Sequence, residues 1–241
     1  MSPRSKIAVS VMMPAHNVAP YIEEAIQSVL DQRGVSHELL IVDDASTDHT
    51  WDLIRSFQKD SRVRAWRLRK RRGFGAASNY LFARARGAYF SSCDADDKLL
   101  PGYLRTLVRA LDRNPRVGVV YSNRLVRDRS GRFRPDHRSR GPAETWDLVE
   151  GPISNVGTLI RRGLIRKVGG YRTDLPYLPD YDFFWRLAEV TKFLYLKGKP
   201  LYFYRQRPDS LTNQYKRKRS AIQRNLLRQV IARRYGFHPS W

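Results

Sequence analysis

The sequence predicts an α/β fold, a mostly parallel sheet flanked by helices, followed by a smaller region and a basic C-terminal helix. Three observations lead there. Over the first hundred residues four short apolar runs alternate with three helix-spaced apolar stripes, the order of right-handed parallel crossovers. Two of those runs end in clustered carboxylates, Asp43-Asp44 and Asp94-Ala95-Asp96-Asp97, which read as the carboxyl ends of buried strands entering loops. A length of 241 residues with 41% apolar content suffices for one sizeable domain with a real core.

The elements follow in order. Ile7 to Met13 is a first strand, stopped by Pro14. Pro20 opens a helix whose Ile22, Ala25, Ile26, Val29 and Leu30 form one stripe. Leu39 to Val42 is a short buried strand, and Ser46, Thr47 and Asp48 are caps for a helix that buries Trp51, Ile54 and Phe57. Val63 to Leu68 is a third strand, Gly75 to Arg86 a helix with Ala77, Leu81 and Ala85 inward, and Ala88 to Cys93 the fourth strand.

Past Pro101 the pattern changes. A helix from Tyr103 to Leu111, stopped by Asn114-Pro115, precedes the strand Val117 to Tyr121. Residues 124–147 are polar and arginine-rich, with the hairpin-turn signal Ser130-Gly131. Gly157 to Ile160 reads as a strand, and Gly163 to Val168 as a short helix ended by Gly169-Gly170. Asp180 to Glu189 fits a helix with Phe183, Phe184 and Leu187 inward. Phe193 to Tyr204 alternates like a strand, and Ser220 to Tyr235 is an amphipathic basic helix. No internal repeat and no linker mark a second independent domain.

The formal net charge is +22, concentrated in runs such as Arg67-Leu68-Arg69-Lys70-Arg71-Arg72 and Lys216-Arg217-Lys218-Arg219. Such an excess fits a polyanionic partner (nucleic acid, anionic lipid or a phosphorylated substrate) or a generically charged surface. Cys93 is the single cysteine, which excludes an intramolecular disulfide and fits a reducing compartment. No stretch approaches the ~18 apolar residues of a membrane span, and Met1 to Lys6 resembles no signal peptide. The expected location is the cytoplasm, with a peripheral position on the inner face of the membrane as a further option.

Within this basic chain, Asp94, Asp96 and Asp97 place three carboxylates in four residues. Clustered carboxylates repel, and a hard divalent cation relieves the repulsion; Mg²⁺ takes one or two carboxylates plus the phosphates of a substrate. A solvated acidic turn capping the helix near Pro101 is the competing reading. Asp43-Asp44 divides in the same way, between a ligand for a base or ribose and a cap for the next helix. Asp180-Tyr181-Asp182 is a third acidic site, at the opening of a later helix.

Taken together these segments resemble glycosyltransferase family 2, whose nucleotide-sugar-binding fold is called GT-A. The resemblance rests on Ser10-Val11-Met12-Met13-Pro14-Ala15-His16-Asn17, Ile41 to Asp48, Asp94-Ala95-Asp96-Asp97, Gly169-Gly170-Tyr171, Asp180 to Ala188 and Tyr204-Arg205, in family order from Ile7 to about Thr212. It implies inverting transfer of a sugar from a nucleoside diphosphate sugar, UDP above all, to a glycan or lipid-linked acceptor, as in cell-surface polysaccharide synthesis. Carried over by motif, Pro14, Ala15 and Asn17 line the nucleotide pocket and Asp44 accepts a hydrogen bond from the base. Asp94, Ala95 and Asp96 form the Asp-X-Asp motif: Asp94 lies toward the ribose, Asp96 holds Mn²⁺ or Mg²⁺, and Asp94 is its second metal-side carboxylate. Asp97 is assigned to capping the next helix. Asp180 matches the catalytic base, with Asp182 as its competitor.

The resemblance divides the chain into a nucleotide-sugar-binding half (1–100), an acceptor-binding and catalytic-base half (101–212) and a basic tail (213–241). An anionic acceptor suits the charge, and the tail offers contact with an anionic membrane surface. The sequence departs from the family at Pro179, where relatives often have Glu, at Ser78, where they have Arg, and at Arg207, where many have His. Arg207 cannot bind a metal but can pair with a phosphate. Arg71 or Arg72 is a substitute for the missing arginine, and His16 a pocket wall or a stacking ring. Arg186 is expected to salt-bridge an acidic neighbour, and Trp185 to pack in the core or stack on an acceptor sugar. Two other classes stand against the enzyme reading. A catalytically altered GT-A-like module binding nucleic acid or another polyanion lacks any nucleic-acid signature, and a nucleotidyltransferase would need a Gly-rich phosphate loop near the first strand.

Overall fold

A computed structural model describes residues 7–127, 132–136, 156–175 and 178–208, together with residues 210, 225, 228, 229, 232 and 236. The expected helix over Ser220–Tyr235, the basic tail and the turn Ser130-Gly131 therefore lie almost wholly outside the described residues.

The first half is a parallel sheet, as the alternation predicts. Strands β1 (Val9–Ala15), β2 (His37–Asp43), β3 (Val63–Arg67) and β4 (Tyr89–Ser92) are joined through helices α1 (Ile22–Leu30), α2 (Thr50–Ser56) and α3 (Phe74–Phe82). All seven residues of β2 are buried, which is why its apolar run is continuous rather than alternating. The α1 stripe expected from the sequence is buried against the sheet at Ile22, Ala25, Ile26, Val29 and Leu30. Helix α3 ends at Phe82, short of the expected Arg86. The chain must turn there because Gly87 lies against β1 so closely that a Cβ would sit 2.5 Å from the Ser10 amide.

Beyond the two-residue strand β5 (Lys98–Leu99) and helix α4 (Tyr103–Arg113), β6 (Val117–Ser122) rejoins the large sheet. It is followed by β7 (Arg124–Arg127), β8 (Phe133–Asp136), β9 (Thr158–Arg161), α5 (Arg162–Val168), α6 (Pro179–Ala188), β10 (Lys192–Leu196) and β11 (Tyr202–Tyr204). The large sheet runs β10-β6-β9-β4-β1-β2-β3, and β9 is its one antiparallel strand. β1 has β2 on one side and β4 on the other, so the strand order reverses there, at the edge where such sheets bind ligands. Side chains on the two faces form two cores. One lies under α1, α2 and α4, and the other is the aromatic cluster of Phe82, Phe90, Tyr171, Phe183, Phe184 and Trp185 around α3 and α6.

A second sheet, β5-β11-β7-β8, corrects the expectation of a single strand from Phe193 to Tyr204. The segment breaks at Gly198 (φ +140°) and Pro200, so β10 stays in the large sheet while β11 leaves it to pair antiparallel with β5 and parallel with β7. β7 and β8 pair antiparallel. Tyr202 is fully buried and fits onto Gly157, where any Cβ would meet its ring at 2.3 Å; this contact joins the two sheets.

Candidate active site

The carboxyl ends of β1 and β2 are stitched together by the loops that follow them. Asp44 N–H donates to the Ala15 carbonyl at 2.8 Å, and His16 Nδ1 lies 2.9 Å from the Asp44 carbonyl. The Asn17 amide donates to Ser46 Oγ at 3.0 Å, while the Thr47 amide donates to Asn17 Oδ1 at 2.9 Å. Val18 and Ala19 donate to Thr50 Oγ1 and Asp48 Oδ2. The capping residues expected before α2 thus have divided duties. Asp48 accepts from the Thr50 amide at the helix start, and Ser46 and Thr47 hold the neighbouring loop.

The pair Asp43-Asp44 also divides. Asp43 is fully buried, accepts from the Ser46 amide and hydroxyl, and lies 3.1 Å from Arg67 Nε, so it closes a turn. Asp44, nearly as buried, points the other way. Its Oδ1 accepts from the Arg72 amide (2.7 Å) and its Oδ2 from the Gly73 amide (2.8 Å). The basic run 69–72 is thereby anchored at the end of β2. Each Asp44 oxygen retains a lone pair for another donor.

β4 continues past Ser92 when the Cys93 amide donates to Met12 at 3.0 Å, so Asp94 emerges beside the end of β1. Asp94 and Asp96 are half-buried, Ala95 is buried between them, and the Asp97 amide closes the turn on the Asp94 carbonyl at 2.9 Å. Asp97 does not cap α4, whose N-cap is Gly102. It is buried instead, with Oδ1 accepting from the Arg205 amide at 2.9 Å and Oδ2 without a hydrogen-bond partner. Burial, then the charges of Asp94 and Asp96, push its carboxyl well above the usual range. Arg207 Nε lies 2.7 Å from Asp96 Oδ2, an ion pair between two largely buried side chains. Arg205 Nε donates to the Asp96 carbonyl, and both guanidinium groups sit over the ring of Tyr21, at 5.0 and 5.2 Å.

Helix α6 separates its two aspartates. Asp182 is 1% exposed and accepts from Arg186 Nε at 2.8 Å one turn along; Arg186 also donates to the carbonyls of Val168 and Gly170. Asp182 is a brace between α6 and the Gly169-Gly170 turn. Asp180, in the first turn, is half-buried and outside that brace. Pro179 occupies the first helical position, where its missing N–H costs nothing, and Leu178 before it adopts a left-handed conformation at φ +53°. Trp185 is buried, edge-on to Tyr181, and belongs to the core.

Asn79 and Gly170 tie the turn after α5 to α3. Asn79 clamps the backbone of Tyr171, donating to its carbonyl (2.7 Å) and accepting from its amide (2.8 Å). A Cβ at Gly170 would sit 2.1 Å from Asn79 Oδ1, so only glycine fits there. Tyr171 is buried against Phe82 and Phe183. Burial, then the charges of Asp180 and Asp94, push its hydroxyl well above its ordinary range, so both carboxylates lie within electrostatic reach of one phenol. Among the described residues the non-glycine residues with positive φ are Asn17, Ala45 and Leu178, which flank the ends of β1, β2 and the start of α6. Backbone strain collects at this edge.

The family model for glycosyl transferase family 2 matches residues 10–173. An uncharacterized protein of Mycobacterium tuberculosis is 33% identical over 201 residues, covering 76% of this chain and 62% of its own length. TuaG of Bacillus subtilis, named for teichuronic acid biosynthesis glycosyltransferase, is 42% identical over 94 residues, 39% of this chain and 37% of its own. The chain thus spans less than two thirds of these relatives. Staphylococcus aureus TarS, solved with UDP, superposes with a TM-score of 0.73 at 19% identity, over 95% of this chain and 72% of that one. A Pyrobaculum calidifontis mannosyltransferase, solved with GDP-Man and Mn²⁺, gives 0.71 at 24% identity, over 98% and 67%. The chain belongs to glycosyltransferase family 2 and has the GT-A fold.

Among the described residues no cluster of three or more His, Cys, Asp or Glu side chains is arranged to hold a metal ion by itself. Asp94 and Asp96 nevertheless fit a hard cation that completes its shell with substrate phosphates, since oxygen donors in that number are what Mg²⁺ and Mn²⁺ take. Among the described residues no helix is long and apolar enough to cross a membrane.

Proposed function

We propose that the protein is an inverting glycosyltransferase that moves a sugar from a UDP-linked donor to a hydroxyl of a glycan or lipid-linked acceptor in cell-surface polysaccharide synthesis. The observation that carries this reading is that half-buried Asp180 and Asp94 both lie within electrostatic reach of the Tyr171 phenol, whereas Asp182 is held by Arg186. Single-displacement inversion needs one general base and no enzymic nucleophile. Asp180 takes the proton from the acceptor hydroxyl as that oxygen bonds to the anomeric carbon. The bond from that carbon to the diphosphate breaks on the opposite face, and the nucleoside diphosphate leaves with the electron pair.

The donor lies across the ends of β1, β2 and β4. Pro14, Ala15 and Asn17 shape the nucleotide pocket, Asp44 accepts from the base, and Asp94 with Ala95 faces the ribose. Asp96, with Asp94, would hold Mn²⁺ or Mg²⁺, which when bound neutralises charge on the departing diphosphate. The nucleotide complexes of TarS and of the mannosyltransferase support the donor class, and the name of TuaG supports the pathway class. A net charge of +22 favours an anionic acceptor. A thermal-shift panel of nucleotide sugars, with and without Mn²⁺, tests the reading: a UDP-sugar should raise Tm and Asp180→Asn should keep that shift while losing transfer. No shift with any nucleotide sugar would sink it.

A further inference from the structure

We infer that Arg207 is the resident counter-cation of Asp96, which a divalent cation must displace and which then serves the donor's phosphates. The inference rests on the donor-edge reading above and goes beyond it, because it assigns a role to the residue standing where many relatives have histidine.

The geometry is specific. Arg207 Nε is 2.7 Å from Asp96 Oδ2, with side-chain exposures of 14% and 19%. A guanidinium does not deprotonate at any working pH, so this cation cannot leave by losing a proton. The backbone sets the pair up. β11 runs antiparallel to β5, Arg205 N–H donates to Asp97 Oδ1, and Arg205 Nε donates to the Asp96 carbonyl at 2.9 Å. The chain is therefore pinned on the acidic turn two residues before Arg207, and Tyr21 supports the guanidinium from the other side at 5.2 Å. Arg205 is itself held by Glu24 at 2.6 Å, so it is a brace rather than a mobile cation.

Two consequences follow. A metal ion and Arg207 compete for the same carboxylate oxygen, so the pair lowers the affinity of the empty site for a divalent cation. Once displaced, the guanidinium sits beside the diphosphate position and is suited to phosphate oxygens, which it can take two at a time. Removing Arg207 should thus move two affinities in opposite directions, a pattern that a merely structural role does not produce.

The test titrates Mn²⁺ alone into the wild-type chain, Arg207→Ala, Arg207→His and Arg205→Ala, and titrates UDP into the same proteins in EDTA. Arg207→Ala and Arg207→His should bind Mn²⁺ about tenfold or more tightly than wild type. Arg205→Ala, which removes a nearby charge without freeing Asp96, should stay within about threefold. Arg207→Ala should bind UDP in EDTA about tenfold more weakly. Equal Mn²⁺ affinity in all four proteins, no Mn²⁺ binding by any, an equal gain in Arg205→Ala, or unchanged UDP binding by Arg207→Ala would overturn the inference. Should Arg207→Ala fail to fold, Arg207→His makes the same comparisons. Failure of wild type to bind UDP with or without Mn²⁺ would instead sink the donor-site reading, and the Mn²⁺ comparison would still decide the pair.

Discussion

At the carboxyl ends of β1 and β2, residues 14–19 are tied to residues 43–50 by hydrogen bonds between neighbouring loops, and Asp44 reaches on to the amides of Arg72 and Gly73. Beyond the end of β4, Asp96 and Asp97 are held by Arg205 and Arg207, across a separation of 108 positions between Asp97 and Arg205. The first region is built within one contiguous stretch of β-α-β units, and mostly from backbone amides. The second is completed only when β11 crosses to the smaller sheet, and it depends on two arginine side chains. The difference teaches where each end can change: amides and the braced Arg205 are fixed by the fold, whereas Arg207 meets Asp96 through its side chain alone.

The sharpest way to break that comparison is at the base. Asp180→Asn should lower transfer by about 10²–10⁴-fold, the usual worth of a general base, while leaving Tm and UDP binding unchanged. Near-full activity in a product assay would remove Asp180 from the mechanism. Its neighbour should behave oppositely. Asp182→Ala leaves Arg186 buried without its carboxylate, and a loss of about 3–5 kcal/mol is expected in urea unfolding. An unchanged unfolding midpoint would mean that the Arg186 brace does not hold the Gly169-Gly170 turn.

At the nucleotide end, Asp44→Ala frees the Arg72 and Gly73 amides and takes an acceptor from the pocket. UDP affinity by calorimetry should fall about tenfold, the equivalent of one or two hydrogen bonds to a charged group. A fall confined to Mn²⁺ affinity would put Asp44 at the wrong end of the site. The smallest effect lies at the other end of β2. Burial, foremost, holds the His37 imidazole below its ordinary 6.5, outweighing the hydrogen bond between its Nδ1 and the Val35 carbonyl. The folded chain therefore binds this proton less readily than the unfolded one, so stability is full above the unfolded pKa and falls as pH drops below about 6.5. In His37→Gln the decline of Tm between pH 7 and 5 should be shallower; an unaltered pH profile would remove His37 as its source.

Much of this sheet edge was legible because its carboxylates stand where apolar runs stop. Asp43 closes β2 and Asp94 to Asp97 follow the end of β4, so both clusters fall where a buried strand passes into a loop at the sheet's rim. The α1 stripe and the α6 apolar positions were equally plain, since period and burial agree there. Asp97 was not legible. A carboxylate before a helix reads as a cap, and only the arrival of the Arg205 amide gives it a buried partner instead. The roles of Asn79 and Gly170 were hidden for a similar reason, because a clamp between α3 and the turn after α5 leaves no periodic signal.

The sequence by itself determined the parallel α/β half and the acidic groups at the carboxyl ends of its strands, because strand ends follow from local hydrophobic patterning. The tertiary structure decided the surroundings of each group. It buried Asp182 against Arg186, left Asp180 half-exposed, and set Arg207 on Asp96 by passing β11 to the second sheet. Alternation from Phe193 to Tyr204 is the same whether the segment is one strand or two. The choice rests on long-range pairing with β5 and β7, and a pattern of period two carries no information about which partner a strand will find.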